Sequence, residues 1–277
     1  MHSLKEYVKS TESDAAQKRL LSVRGDPFLF ADWERVLFLH FAIAPELLRP
    51  AIPPPLELDL YEGQAYLSLV AVTMRRFRPA RPFPFAWAFG LLTCQQFLNV
   101  RTYVRHRDEP GALFLWGWLS KPLPLALPTL DLPCAFAQVD YQHAHDSGIL
   151  RGEVKAGARH FSYRATIDPQ SNFEPCNPGS LAEFTMERYT GFFYRGNRTR
   201  IFRAWHPAWL QTSVNATIND SSLLATKFNW FKEAKFVGAN FAPGFKQVSL
   251  GRVHALKNVF GQSRTRRHGA SAFYEMP

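Results

Sequence analysis

Residues 95 to 121 read QQFLNVRTYVRHRDEPGALFLWGWLSK, two apolar and aromatic segments on either side of Asp-Glu-Pro-Gly at 108–111. Asp, Pro and Gly are residues that tight turns favour. The pattern therefore predicts two long antiparallel strands joined at 108–111. Because this hairpin carries more charge and aromatic surface than a plain hairpin needs, it is also the first place to look for a site.

The composition favours strands over a helical bundle. Of 277 residues, 46% are hydrophobic, enough for a packed core, and the 14% aromatic share with 20 prolines suits strands and turns. No internal repeat or linker-like composition interrupts residues 30–256. We expect an α+β, β-rich fold there, one domain with an antiparallel sheet and a few helices. A loosely ordered or helical leader (1–29) and a basic tail (257–277) are expected to flank it.

Local patterns predict several further elements. Val36–Ile43, apolar at nearly every position, predicts a buried strand. Leu56–Tyr61 and Ala65–Met74 predict a hairpin. The capping-box pattern Ser180-Leu-Ala-Glu183 predicts a helix that runs to about Thr190. Further strands are expected at 199–205, 210–218 and 248–255, and a short helix at 223–230.

The net charge of +10 is unevenly distributed, since residues 234–274 hold seven Lys/Arg and no Asp or Glu. Such a patch can meet nucleic acid, anionic lipid or an acidic ligand. Solubility with a basic tail is the simpler explanation. None of the usual nucleic-acid-binding modules is found, so nucleic acid is not an expected partner and stays an alternative.

The cysteines and the chain start indicate a compartment. Cys94, Cys134 and Cys176 have no metal or redox spacing, which favours reduced thiols. The first residues lack the apolar run of a signal peptide, and no apolar stretch reaches membrane-spanning length. We expect a cytoplasmic protein without a membrane span; its oligomeric state is left open.

Five segments together carry a family resemblance. They are VLFLHF (36–41), LLRPAIPPPLELD (47–59), NVRTYVR (99–105), ERY (187–189) and HPAWLQ (206–211). In this order they resemble the YqjF-like family (DUF2071), a domain of unknown function grouped with the acetoacetate decarboxylase-like superfamily. The resemblance implies an acetoacetate decarboxylase-like β-barrel around a hydrophobic cavity.

The same resemblance raises the question of a reactive lysine. The superfamily's Schiff-base lysine is the first of a pair in a Tyr-Pro-Lys-Lys-Leu run, which resembles Trp118-Leu-Ser-Lys-Pro122 here. Only Lys121 is present, at the place of the second lysine, and Ser120 stands where the first would be. If the protein is an enzyme, the resemblance implies a lyase acting on a keto acid, with Lys121 as catalytic nucleophile.

The first strand of the hairpin holds the best candidates for ligand binding. On one face it carries Asn99, Arg101, Tyr103 and Arg105, and the opposite face is mainly apolar. Guanidinium groups suit a carboxylate or a phosphate, because they donate two hydrogen bonds as a fork. A solvated polar face is the alternative, and the sequence leaves the orientation open.

Three later residues complete the candidate set. Glu187 could pair with Arg101 or act as a general acid or base if it is buried. His206 and Trp209, at the end of a predicted strand, are candidates for ligand contact, although a lone histidine is more often a packing residue. His143 and His145 lack a third ligand, so neither a metal nor a cofactor is expected.

The leading hypothesis is therefore a small, anionic or keto-acid-like ligand held in a barrel cavity, without the lysine pair of the superfamily. Schiff-base chemistry at Lys121 is one alternative. Binding of nucleic acid or an anionic surface through the basic C-terminal half is another.

Overall fold

The computed structural model describes residues 11–82, 94–121 and 132–256. The predicted basic tail, 257–277, lies outside these residues. The four α-helices of the described residues are α1 (Thr11–Leu21), α2 (Pro45–Leu48), α3 (Leu181–Met186) and α4 (Ser222–Lys227), with single turns of 3-10 helix at Arg49–Ala51, His145–Ser147 and Asn229–Glu233. The strands are β1 (Leu29–Ile43), β2 (Glu57–Leu58), β3 (Ala65–Pro79), β4 (Cys94–His106), β5 (Glu109–Leu119), β6 (Cys134–Phe136), β7 (Gln138–Ala144), β8 (Ile149–Ala156), β9 (Arg159–Thr166), β10 (Glu174–Pro175), β11 (Thr190–Arg195), β12 (Arg198–Trp205), β13 (Leu210–Asp220), β14 (Lys235–Leu250) and β15 (His254–Ala255).

Seven strands form a closed ring of hydrogen-bonded neighbours. The order is β12-β11-β5-β4-β3-β1-β14, and β14 returns to β12 through Ala204 opposite Leu250 and Trp205 opposite Ser249. Beyond β14 the sheet continues through β13, β9, β8 and β7. The sheet is mixed, because β5 pairs in parallel with β11 and with β6. The other strand pairings of the described residues are antiparallel, as the sequence predicted, and the parallel pairings are confined to β5.

The predicted hairpin is present as β4 and β5. His106 pairs with Glu109, so the turn is Arg107-Asp108, and Pro110 lies within β5. Arg107 adopts a left-handed φ of 56° at this two-residue turn. The turn is thus shifted by two residues toward the N-terminus from the position that the Asp-Glu-Pro-Gly pattern suggested.

Two other sequence predictions are corrected by strand pairing. Segment 56–61 does not form a hairpin with β3, because β2 pairs with β4. Of the strand predicted at 248–255, residues 248–250 are the end of β14, which begins at Lys235 and closes the ring, and residues 254–255 form the separate strand β15. Pro243 and Gly244, which has a φ of +96°, interrupt the apolar pattern of this long strand. For this reason the sequence pattern did not predict its full length.

Neighbouring residues of β1 belong to two different cores. Leu37 and Leu39 pack into one core with residues of β8, β9 and β13. Val36 and Phe38 point the other way, into a second core that the ring strands enclose. Burial on both faces explains why β1 is apolar at nearly every position. The second core surrounds the cavity described below.

The leader contains an ordered helix that contacts the ring. Ala16 and Leu20 of α1 are almost fully buried. The hydroxyl of Ser13 donates to the carbonyl of His206 at 2.9 Å, and the indole of Trp205 donates to the carbonyl of Ser13 at 3.1 Å. Helix α1 therefore rests against the segment that carries His206. Of the helices in the described ranges, none has the length and apolar character that a membrane crossing requires.

Candidate functional site

The ring encloses a cavity of about 110 Å³ that is lined by side chains from all seven of its strands. A water molecule needs roughly 10–15 Å³ of such space, so the cavity has room for several waters or a small organic molecule. The walls are mainly apolar. The polar side chains in the lining are Asn99, Arg101, Cys134, Arg188, Tyr189, Thr190 and His206, together with the indoles of Trp33 and Trp209.

Strand β4 places two of the predicted residues in the cavity. Alternation along the strand points Phe97, Asn99 and Arg101 inward, while Val100 packs into the outer core. A register shift between β4 and β5 falls at the Val100–Arg101 step, and bulges of this kind often lie next to functional sites. The orientation that the sequence left open is therefore inward for Asn99 and Arg101.

The other two candidates of β4 lie outside the cavity lining. Tyr103 is fully buried, and its hydroxyl forms a hydrogen bond with the hydroxyl of Ser68. Arg105 is exposed and forms an ion pair with Asp59 at 3.0 Å. Tyr103 thus lies beneath the site, and Arg105 lies on the surface.

Arg101 is the central charged group of the cavity. Its Nη2 donates to the carbonyl of Thr185 at 2.7 Å, and its guanidinium lies 5.4 Å from the ring of Phe38 and 5.8 Å from that of Tyr103. Its Nε is buried and has no hydrogen-bond partner in the described part of the chain. Among the residues that the structure describes, no carboxylate lies within 4.0 Å of the guanidinium. The guanidinium of Arg101 is thus stabilised by two aromatic rings and one carbonyl, and it has no counter-ion among the described residues.

The histidines near Arg101 are neutral. Burial, and secondarily the charge of Arg101, lowers the pKa of His40 to about 3 and the pKa of His206 to about 4. His40 accepts from Ser68 at 2.7 Å through Nδ1 and donates from Nε2 to the Oδ1 of Asn240 at 3.2 Å. These proton positions are inferred from the hydrogen-bond partners. The hydroxyl of Tyr103 then donates to that of Ser68, so this series of buried hydrogen bonds adds no negative charge beside Arg101.

His206 and the two tryptophans form one wall of the cavity. The ring centroid of His206 lies 4.8 Å from that of Trp209 and 5.8 Å from that of Trp33. Nδ1 of His206 donates to the carbonyl of Pro207 at 2.6 Å, which leaves Nε2 as an acceptor. The Nε1 atoms of Trp33 and Trp209 are buried donors without a partner in the described chain. Trp33 was not predicted from the sequence, because nothing local distinguishes it from a core tryptophan.

Glu187 does not pair with Arg101, so the ion pair expected from the sequence is absent. Its carboxylate accepts from the hydroxyl of Tyr189 and, at 2.8 Å, from the backbone N–H of Trp209. Burial raises the pKa of this carboxyl, although both hydrogen bonds oppose that shift. Glu187 is absent from the cavity lining and instead connects two residues, Tyr189 and Trp209, that belong to it.

Arg188 also lines the cavity. It forms an ion pair with Asp59 at 2.7 Å, and the side chains of both residues are almost fully buried. Burial lowers the pKa of Arg188, and the charge of Asp59 counteracts this effect. Unlike Arg101, Arg188 has its counter-ion within the protein. Its distance from Asp59 in sequence, 129 residues, leaves no local signal for the pair.

Lys121 lies outside the described lining of the cavity. Its side chain is exposed at the end of β5, and its backbone N–H donates to the side chain of Gln95 at 3.2 Å. The hydroxyl of Ser120 accepts from the backbone N–H of Gln96 at 2.9 Å. The structure therefore brings together Asn99, Arg101, His206 and Trp209 but not Lys121.

Known structures with the same fold were found at low sequence identity. MppR, an enduracididine biosynthesis enzyme, matches with a TM-score of 0.58 and 13% identity over 82% of this chain and 87% of its own. An acetoacetate decarboxylase from Legionella pneumophila matches with 0.56 and 13% over 83% and 88%. An acetoacetate decarboxylase-like enzyme from Sphingomonas wittichii RW1 matches with 0.55 and 13% over 83% and 95%. These matches confirm an acetoacetate decarboxylase-like fold, and at this identity they show the fold alone.

Sequence comparison identifies the family. The model of DUF2071, described as an uncharacterised conserved protein, matches residues 31–239. The uncharacterised protein YqjF of Bacillus subtilis (strain 168) is 30% identical over 194 residues, which cover 68% of this chain and 76% of YqjF. As its sequence resemblance predicted, the chain belongs to the DUF2071 family and has an acetoacetate decarboxylase-like fold.

Proposed function

We propose that the protein binds a small organic acid in the ring cavity, with Arg101 as the counter-charge of the carboxylate and without a Schiff base. One observation carries this proposal. The guanidinium of Arg101 lines a largely apolar cavity, and within the described part of the chain its buried Nε has no hydrogen-bond partner and no carboxylate pairs with it.

The charges around Arg101 favour an anion. An unpaired buried cation is costly, and a carboxylate that pairs with it offsets the cost through charge-assisted hydrogen bonds. His40 and His206 are neutral, and Asp59 already forms an ion pair with Arg188. A ligand carboxylate is therefore the missing partner, and the indole N–H groups of Trp33 and Trp209 are further donors for its oxygens.

The apolar walls favour an acid with a hydrophobic body. Phe38, Val70, Val72 and Phe97 line the cavity beside Arg101 and bury apolar surface of a ligand. One structural neighbour, MppR, is described in complex with pyruvate, which supports a small acid as the ligand class. Schiff-base chemistry needs a neutral amine at the ligand, and Lys121 is exposed outside the described lining.

Calorimetric titration tests the proposal with matched arginine variants. We expect small monocarboxylates such as propionate, pyruvate and phenylacetate to bind the wild-type chain and to lose at least about tenfold in affinity in Arg101→Met, since a charge-assisted hydrogen bond is lost. Arg105→Met is the control, because Arg105 lies on the same strand but is exposed and paired with Asp59. Arg101→Lys keeps the charge and should bind with intermediate affinity.

Borohydride trapping tests the enzymatic alternative. Pyruvate and acetoacetate are added with borohydride, and the mass of the peptide that holds Lys121 is measured. We expect no adduct and unchanged binding in Lys121→Ala. A covalent adduct on Lys121, or equal binding of the acids by Arg101→Met and Arg105→Met, would contradict the proposal.

A further inference from the structure

Asn99 adds an unpaired acceptor to the cavity, in contrast to the unpaired donors of Arg101, Trp33 and Trp209. Its Nδ2 donates to the carbonyl of Val70 at 3.3 Å. Because a carbonyl can only accept, this bond defines the amide orientation and makes the other atom, Oδ1, an acceptor. That Oδ1 is buried and has no hydrogen-bond partner among the described residues. A buried acceptor of this kind is costly unless something donates to it.

The acceptor lies close to Arg101. Both residues line the cavity from the same face of β4, two positions apart, so their Cα atoms are about 7 Å from each other. His206 adds another acceptor, Nε2, to the lining. A small molecule whose carboxylate meets Arg101 can therefore place a neighbouring group at Asn99.

From this arrangement we infer that the ligand is a hydroxy acid, with its carboxylate on Arg101 and its hydroxyl donating to the Oδ1 of Asn99. The inference rests on the proposed binding of an organic acid. A keto acid has only acceptor oxygens beside its carboxylate and leaves Oδ1 unpaired. An amino acid has a donor, but its ammonium would enter a cavity whose charged side chains, Arg101 and Arg188, are both cations.

Matched acids that differ in one group provide the test. One set is lactate, pyruvate and propionate, and a larger set is mandelate, benzoylformate and phenylacetate. In the wild-type chain we expect the hydroxy acid of at least one set to bind about tenfold or more tighter than its keto and unsubstituted partners, because sites that hydrogen-bond a hydroxyl reject analogues without it.

The variant Asn99→Leu should remove this preference. Leu is similar in size and cannot accept, so the affinity for the hydroxy acid should fall about tenfold relative to that for the unsubstituted acid. If the preference survives in Asn99→Leu, the inference is overturned. Should this variant fail to fold, the ranking of the acids by the wild-type chain decides alone.

The outcomes also separate this inference from the proposed function. Equal binding of all three acids of each set, with loss in Arg101→Met, retains the organic-acid site and overturns the hydroxyl contact. If no acid of either set binds the wild-type chain, both are overturned.

Discussion

Three buried histidines should make the stability of the folded chain strongly dependent on pH. Besides His40 and His206, burial lowers the pKa of His143 to about 4. Nδ1 of His143 donates to the carbonyl of Arg35 at 2.7 Å, and its Nε2 accepts from the hydroxyl of Tyr163 at 2.6 Å. All three imidazoles are thus folded in the neutral form.

The direction of this pH dependence follows from the number of protons that the unfolded and folded chains bind. In the unfolded chain each histidine takes up a proton near its usual pKa of about 6.5, whereas the folded chain does so only near pH 4 or 3. The stabilisation is therefore complete above about pH 6.5 and is lost as the pH falls toward 4. At pH 5 the loss is about 2 kcal/mol per histidine, or about 6 kcal/mol for three. A typical domain is stable by only about 5–15 kcal/mol.

Urea unfolding between about pH 7.5 and pH 4.5 measures the effect. Near pH 5 the free energy of unfolding should fall by about 1.4 kcal/mol per pH unit for each histidine, about 4 kcal/mol per unit in total. Each of the variants His40→Gln, His143→Gln and His206→Gln should reduce that slope by about 1.4 kcal/mol per pH unit, which corresponds to about one bound proton. His254→Gln is the control, because His254 is exposed.

Two results would refute this account. The first is a free energy of unfolding that stays constant from about pH 7 to pH 5. The second is a slope that His254→Gln reduces as much as the other three variants do. Glu187 acts in the opposite direction, since its raised pKa stabilises the folded chain at low pH and this contribution is lost as the pH rises. Glu187 is present in every variant, so the differences between the pH slopes of the variants report the contributions of the histidines.

Two further predictions concern packing and are measured by urea unfolding. In α1, Leu20 is 1% exposed and Leu21 is 58% exposed, so Leu20→Ala should cost about 2–3 kcal/mol and Leu21→Ala less than about 0.5. Equal effects would mean that the leader helix is not docked. In β8, a Cβ at Gly152 would lie 2.3 Å from the hydroxyl of Tyr163, so Gly152→Ala should cost about 1–3 kcal/mol; an unchanged stability would contradict this packing.

Several features were predictable because their signals are local. The alternation of β4 separates Asn99 and Arg101 from Val100, and this grouping is retained in the structure. The N-terminal cap of α3 was also confirmed, since the hydroxyl of Ser180 accepts from the N–H of Glu183 at 3.2 Å, although the Glu183 carboxylate accepts from the N–H of Gly179 and not from that of Ser180. The helix nevertheless ends at Met186, which leaves Glu187 beyond it.

Other features could not be predicted because they depend on partners far away in the chain. Both faces of β4 are buried, so periodicity alone cannot say which face meets the cavity. The carboxylate of Glu187 accepts from the hydroxyl of Tyr189 and the N–H of Trp209 and does not pair with Arg101. The path of the chain after α3 determines these partners. Lys121 follows an apolar strand in sequence, yet its side chain is exposed.

Local pattern alone therefore predicted the strand-rich fold and the face of β4 that carries the polar side chains, and the resemblance of five segments predicted the family. Only the closed ring decided which of these side chains share a cavity, because seven strands from distant parts of the chain must meet to form its walls. Burial within that ring keeps His40 and His206 neutral and leaves Arg101 without a carboxylate partner in the described chain. Such electrostatic environments arise from long-range packing, which residue spacing does not encode.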